Sequence, residues 1–154
     1  MHEKTDLLIL KNILQKFLKQ NQKNMKPIIE GNKIIYEGSE DCPAILMDID
    51  GGRLIIEGAS FPEDAVVVYE PVIKWLIENE NKFEELEVIF DYSILSSASN
   101  KMVFEIILKL EKLTLKGKNI SIKWFYATYD EDMFDEGRGF KETLKIKMDL
   151  ISKN

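Results

Sequence analysis

The chain is poor in the residues on which most catalytic and metal chemistry depends. It has one histidine, His2, and one cysteine, Cys42, in 154 residues. A single cysteine allows no internal disulfide, and that pair cannot complete a zinc site built from His and Cys ligands. A Ser-His-Asp or Cys-His set is excluded on the same ground, because the only histidine lies next to the N-terminus. No apolar run approaches the ~20 residues that span a bilayer, and the first residues lack the apolar core and cleavage site of a signal peptide. Basic charge is also in deficit. With 21 Lys and Arg against 27 Asp and Glu, the net charge is −6, which argues against a nucleic-acid backbone as the main partner. The expectation is a cytoplasmic, non-enzymatic protein with no cofactor, metal, membrane or nucleic-acid partner.

What the chain does have is the makings of one packed domain. Hydrophobic residues make up 45% and charged residues 31%, a balance that can fill a core and stay dissolved. Leu7, Leu10, Leu14, Phe17 and Leu18 recur at spacings of three and four between Lys and Gln, which predicts an amphipathic helix over 5–22. Asn21 to Asn24 and Pro27 end it. Residues 1–31 thus form an appended helix and linker, and residues 32–154 the main domain. A bare apolar stripe on a dissolved protein is costly, so this one is expected to be buried on the domain or on a partner.

The domain opens with short apolar runs at 33–37 and 44–49, and Asp50-Gly51-Gly52 turns the chain into a strand over 53–57. Ser60-Phe61-Pro62-Glu63 predicts a capped helix start, and Ala65 to Leu76 continue at helical spacing, with a kink or a break at Pro71. A β-branched and aromatic run over 86–95 predicts a buried strand, Met102 to Leu113 a long helix stopped at Gly117, and Ile120 to Tyr126 another strand. Strand, helix and strand in that order imply a parallel crossover. After the acidic stretch from Asp130 to Glu136, Leu144, Ile146, Met148 and Leu150 alternate as a last strand. The fold class is α/β or α+β, a single mixed sheet backed by helices.

Chemistry is concentrated at one corner. In Leu95-Ser96-Ser97-Ala98-Ser99-Asn100-Lys101, three serines crowd the passage from strand to helix. A helix N-terminus presents unpaired N–H groups and a partial positive charge, so a hydroxyl there can cap the helix and a phosphate there is favoured. The residues alone leave both readings open. The acidic residues Asp130, Glu131, Asp132, Asp135 and Glu136 invite a divalent metal, but they lack the central glycine and final glutamate of an EF-hand loop. A solvated loop or a partner-facing patch fits them better.

Two ordered segments carry a resemblance. Gly58-Ala59-Ser60-Phe61-Pro62-Glu63-Asp64 with Tyr69-Glu70-Pro71-Val72-Ile73-Lys74-Trp75-Leu76 resembles the "G-x-S-x-P-E-N … Y-x-P-x-x-x-W-L" signature of SiaC-type regulatory phosphoproteins. Trp124-Phe125-Tyr126, with Asp130-Glu131-Asp132-Met133 and Gly137, resembles that family's "W-Y-Y … D-x-D-M … G". The resemblance covers roughly residues 32–152. It implies a fold similar to STAS domains, the anti-sigma-factor antagonists, and a partner-switching role without catalysis. A GHKL-type Ser/Thr kinase would phosphorylate the domain and a PP2C-type phosphatase would reverse it. The unphosphorylated form would act on an effector, in this family a diguanylate cyclase.

The family's phosphoacceptor lies in "Y-F-N-T-S-S-S-K". Aligned from Lys101, its threonine falls on Ser97 and its asparagine on Ser96, while Ile94-Leu95-Ser96 stands in place of Tyr-Phe-Asn. Ser97 and Ser96 are therefore the two candidates for phosphorylation. Ser99, Asn100 and Lys101 beside them, and Asp130 and Asp132 of the acidic stretch, are the expected partner-binding residues. The rival reading is a scaffolding domain with no switch, its serines serving as caps.

Overall fold

Seven segments of alternating or continuous apolar residues pair into one sheet whose spatial order follows the chain: β1 (Ile28–Glu30), β2 (Lys33–Tyr36), β3 (Ala44–Asp48), β4 (Arg53–Ser60), β5 (Glu85–Leu95), β6 (Asn119–Ala127) and β7 (Met148–Lys153). The structure is a computed structural model that describes the backbone of residues 2–23 and 26–154 and the side chains of residues 4–16 and 26–154. Strands β1 to β4 pair antiparallel, with short turns between β1 and β2 and between β3 and β4 and a longer loop over 37–43 between β2 and β3; β4 to β7 pair parallel. Parallel neighbours need crossovers, and α2 (Ala65–Asn79), α3 (Ser97–Leu115) and α4 (Glu131–Thr143) supply them. Crossovers of the usual right-handed sense that always step the same way stack their helices on one face, and α2, α3 and α4 share a single core cluster. The mixed sheet backed by helices is the expected fold class.

That face holds the core. Met47, Leu54, Val88, Ile122 and Met148 form one cross-strand row, and Ile45, Ile56, Phe90 and Trp124 the next, all buried. Helix α2 meets them with Val68, Tyr69, Val72 and Leu76, and α3 with Val103, Ile106, Ile107 and Leu110. Gly117, at φ +95°, takes the left-handed turn that ends α3, as the sequence predicts.

Several boundaries differ from expectation. The N-cap of α2 is Asp64, whose carboxylate accepts from the Val67 N–H, and not Ser60. Ser60 remains in β4, paired with Leu95 of β5, and its hydroxyl is committed to the interior. Helix α2 runs unbroken through Pro71. The acidic stretch is not a loop but the first turns of α4, where Glu131 and Asp132 meet the positive end of the helix. Strand β7 starts only at Met148; Leu144 and Ile146 are buried but precede it without pairing. Strand β1 is an addition, too short to show alternation.

Helix α1 (His2–Lys23) forms where the sequence predicts it. Its Leu7, Leu10 and Leu14 are exposed in the single chain rather than packed on the domain, while the side chains of Phe17 and Leu18 lie outside the described residues. Among the described residues no helix is long and apolar enough to cross a membrane.

Candidate functional site

Three parallel strands end on the same edge of the sheet: β4 at Ser60, β5 at Leu95 and β6 at Ala127. In open α/β sheets that edge is where function is usually built, because helix N-termini and loops converge there. Here the start of α3 follows the end of β5 with a single residue, Ser96, between them.

Ser96 is the N-cap. Its backbone is extended (φ −70°, ψ 161°), its Oγ accepts from the Ser99 N–H at 3.2 Å, and its carbonyl accepts the first helical bond from Asn100 at 2.8 Å. Its own N–H donates to the Ser60 carbonyl at 2.9 Å, which ties the corner to the end of β4. A complete cap of this kind stabilises a helix by about 1 kcal/mol. Ser97 is the first helical residue and is exposed, so its N–H and that of Ala98 belong to the unpaired set at the helix start.

Beneath the corner lies a chain of hydroxyls, buried except at its half-buried outer end, Ser96. Ser96 Oγ donates to Ser99 Oγ at 3.0 Å, and Ser60 Oγ donates to the same atom at 2.8 Å. Ser60 Oγ in turn lies 2.7 Å from Tyr69 OH, which lies 2.8 Å from Tyr92 OH. The five groups come from β4, α2, β5, the cap and α3, and no buried side-chain polar atom among the described residues is left without a partner. Burial pushes the Tyr69 phenol up, against the hydrogen bonds from its neighbours, and pushes that of Tyr92 up furthest, with Tyr69 beside it adding to the shift. Both therefore stay protonated and hold the hydroxyl chain in register.

One turn into α3, Asn100 donates from Nδ2 to Glu136 Oε2, linking the start of α3 to α4. Glu136 is held above the usual carboxylate range by partial burial and by the charge of Asp132. At the head of α4, Asp130 Oδ1 accepts from the Met133 N–H at 3.0 Å as the N-cap. Gly137 sits against the indole of Trp124, whose Nε1 donates to the Met133 carbonyl at 3.0 Å. Only a residue without a Cβ fits there, since a Cβ would fall 2.4 Å from Trp124 Cδ1.

The candidates from sequence separate accordingly. Ser97, Lys101 and Asp132 are exposed; Ser96 and Asn100 are half-buried and engaged. Ser99 corrects an expectation. Proposed as partner-facing, it is fully buried because its hydroxyl accepts from both Ser60 and Ser96, so its side chain has no route to a partner in this arrangement. Asp130 is half-buried and its carboxylate is occupied as a cap. The residues that sequence reasoning missed are Ser60, Tyr69, Tyr92 and Glu136. The phenol of Tyr92, placed among inward-facing apolar positions of β5, is the one local sign that a polar partner waits inside.

Comparison with known proteins agrees with this architecture. An uncharacterised protein of Pseudomonas aeruginosa strain UCBPP-PA14 is 29% identical over 108 residues, which is 68% of this chain and 84% of that protein. A solved structure of the diguanylate cyclase SiaD in complex with its activator SiaC, from Pseudomonas aeruginosa, contains a chain that matches at a TM-score of 0.73 and 25% identity, over 77% of this chain and 98% of that one. A structure of SiaC of Pseudomonas aeruginosa matches at 0.72 and 24% identity, over 79% of this chain and 98% of the other. The family model of SiaC family regulatory phosphoproteins matches residues 36–153, taking in every element from the end of β2 to β7. The chain belongs to the SiaC family of regulatory phosphoproteins.

Proposed function

We propose that this chain is a cytoplasmic, non-catalytic phosphoswitch whose acceptor is Ser97. A GHKL-type Ser/Thr kinase adds the phosphate, a PP2C-type phosphatase removes it, and the effector, a diguanylate cyclase, is bound according to that state. The complex of SiaD with its activator SiaC supports the choice of effector, because one of its chains shares this fold over most of the length.

The observation that carries the reading is the division of labour between two adjacent serines. Ser96 is occupied as donor and acceptor by the cap and the hydroxyl chain, whereas Ser97 is exposed at the mouth of the same helix. A kinase needs an accessible hydroxyl. The dianion formed on Ser97 would meet the free N–H groups and positive end of α3, with Lys101 one turn on. Asn100, Lys101 and Asp132 are then the side chains placed to read the change, and Asn100 passes it to α4 through Glu136.

A scaffolding role without a switch has one observation in its favour, the complete cap at Ser96, which explains a serine there with no modification. It leaves the exposed serine at 97 without a role. Intact mass of the protein purified from its own cell separates the two. A fraction heavier by roughly 80 Da, one phosphate group, is expected, and a single unmodified mass under every growth condition contradicts the switch.

A further inference from the structure

The sheet has a second face that no helix of the domain covers. Read along the register, Ile28 of β1 stands beside Ile35 of β2, then Leu46 of β3, Ile55 of β4 and Ile89 of β5. These five aliphatic residues form an unbroken row across five strands, and none of them belongs to the core cluster on the helix side. The row ends in charge: Ile89 is followed by Lys123 of β6 and Asp149 of β7.

The chain also carries a helix whose apolar residues, among those described, are exposed. Leu7, Leu10 and Leu14 of α1 are 57%, 64% and 54% exposed, and Ile13 is 58% exposed. At 100° per residue, positions 7, 10, 13, 14, 17 and 18 span an arc of about 140°; Ile9 falls about 40° beyond one edge of it, and Leu8 about 80° beyond the other. That arc is wider than the narrow seam of a two-stranded coiled coil and suits a helix laid on a sheet. The dimensions agree. From residue 7 to residue 18 the stripe is about 16 Å long at 1.5 Å per residue. Five strands spaced about 4.8 Å apart make a row about 19 Å long.

Charge agrees as well. Five lysines against Glu3 and Asp6 give residues 2–23 a net +3; with −6 for the whole chain, the remainder carries −9. The family match begins at residue 36, so α1, β1 and most of β2 all lie outside it. The helix and the edge hairpin that lengthens the apolar row are thus additions at the same end of the chain. In the single chain the described apolar residues of the helix are exposed rather than laid on their own sheet. We propose that α1 of one copy docks across the helix-free sheet face of a second copy, over Ile35, Leu46, Ile55 and Ile89, and that the exchange is reciprocal. One donor helix and one acceptor face per chain close a two-fold dimer with no unsatisfied surface.

The full-length chain, 17.9 kDa, is expected to run as a dimer in size-exclusion chromatography with light scattering, and more weakly so at high salt. Leu10→Glu with Leu14→Glu leaves the domain untouched and is expected to raise the dissociation constant by roughly 100-fold or more. Contact is read separately by disulfide trapping in a Cys42→Ser background. Copies carrying Leu10→Cys and differently tagged copies carrying Ile35→Cys are expected to cross-link to each other. A monomer at all concentrations overturns the proposal, and so does a dimer that survives the double substitution. Cross-linking confined to pairs of Leu10→Cys helices, or within one chain, overturns it in favour of helix–helix pairing or of docking in the same copy.

Discussion

Ser60 and Ser99, 39 positions apart, join hydroxyl to hydroxyl at 2.8 Å and thereby fasten the end of β4 to the first turn of α3. The bond holds Ser99 inward, while Ser96 stands as the cap and Ser97 faces outward on the next position of the helix. It also connects the corner to α2, since Ser60 is bonded on its other side to Tyr69.

The hydroxyl chain should therefore be unevenly sensitive to substitution. Tyr69→Phe removes the middle link and leaves the Tyr92 hydroxyl buried with no partner, so a loss of about 1–3 kcal/mol is expected. Tyr92→Phe removes only the terminal link, because Tyr69 keeps its bond to Ser60, and a smaller loss of about 0.5–1.5 kcal/mol is expected. Urea unfolding of the two variants checks the order; equal losses would mean that the chain of bonds is not continuous.

The same phenols give a dependence on alkaline pH. Both have pKa values raised by burial in the folded state, above the ~10 of an unfolded tyrosine. The folded state then holds its protons where the unfolded state has begun to lose them. Stability from these groups is fully present below about pH 10 and falls as pH rises towards the folded values. Urea midpoints measured between about pH 9 and 11 should decline, and Tyr92→Phe should make the decline shallower. An identical slope in the variant would show that Tyr92 titrates normally.

Helix α4 contains two glycines that the structure distinguishes. Gly137→Ala drives a methyl group into Trp124, so overpacking of about 1–3 kcal/mol and a shift in tryptophan emission are expected. Gly139→Ala meets nothing within 4 Å and replaces a poor helix former, so a gain of about 0.4–1 kcal/mol is expected. Thermal unfolding of both variants is the check. A destabilised Gly139→Ala would mean that the residue is not helical.

This pair shows where sequence reading stops. Period-2 and period-3.6 patterns are local, so they locate β5, α3 and β6 and the crossover between them within a few residues. Two glycines after a run of acids favour a loop on local grounds; the reason Gly137 lies in a helix is the Trp124 ring, 13 positions back, which no local pattern reveals. Ser60 fails in the same way. With Pro62 and Glu63 it has the spacing of a helix cap, and only the partners Tyr69 and Ser99, brought by α2 and α3, keep it in β4. The corner itself is legible because its serines are adjacent in sequence. Which of them caps, which is buried and which is exposed depends on where β5 ends against β4, and that is set by pairing across the sheet.

The most direct test of the account is phosphosite mapping after incubation of the full chain with its cognate kinase, for the natural sequence and for Ser97→Ala. The account requires a single phosphate on Ser97 and its loss in Ser97→Ala, with Ser96 unmodified because its hydroxyl is held by the cap and by Ser99. Phosphate on Ser96 in the natural sequence, or label only outside residues 96–99, would contradict it.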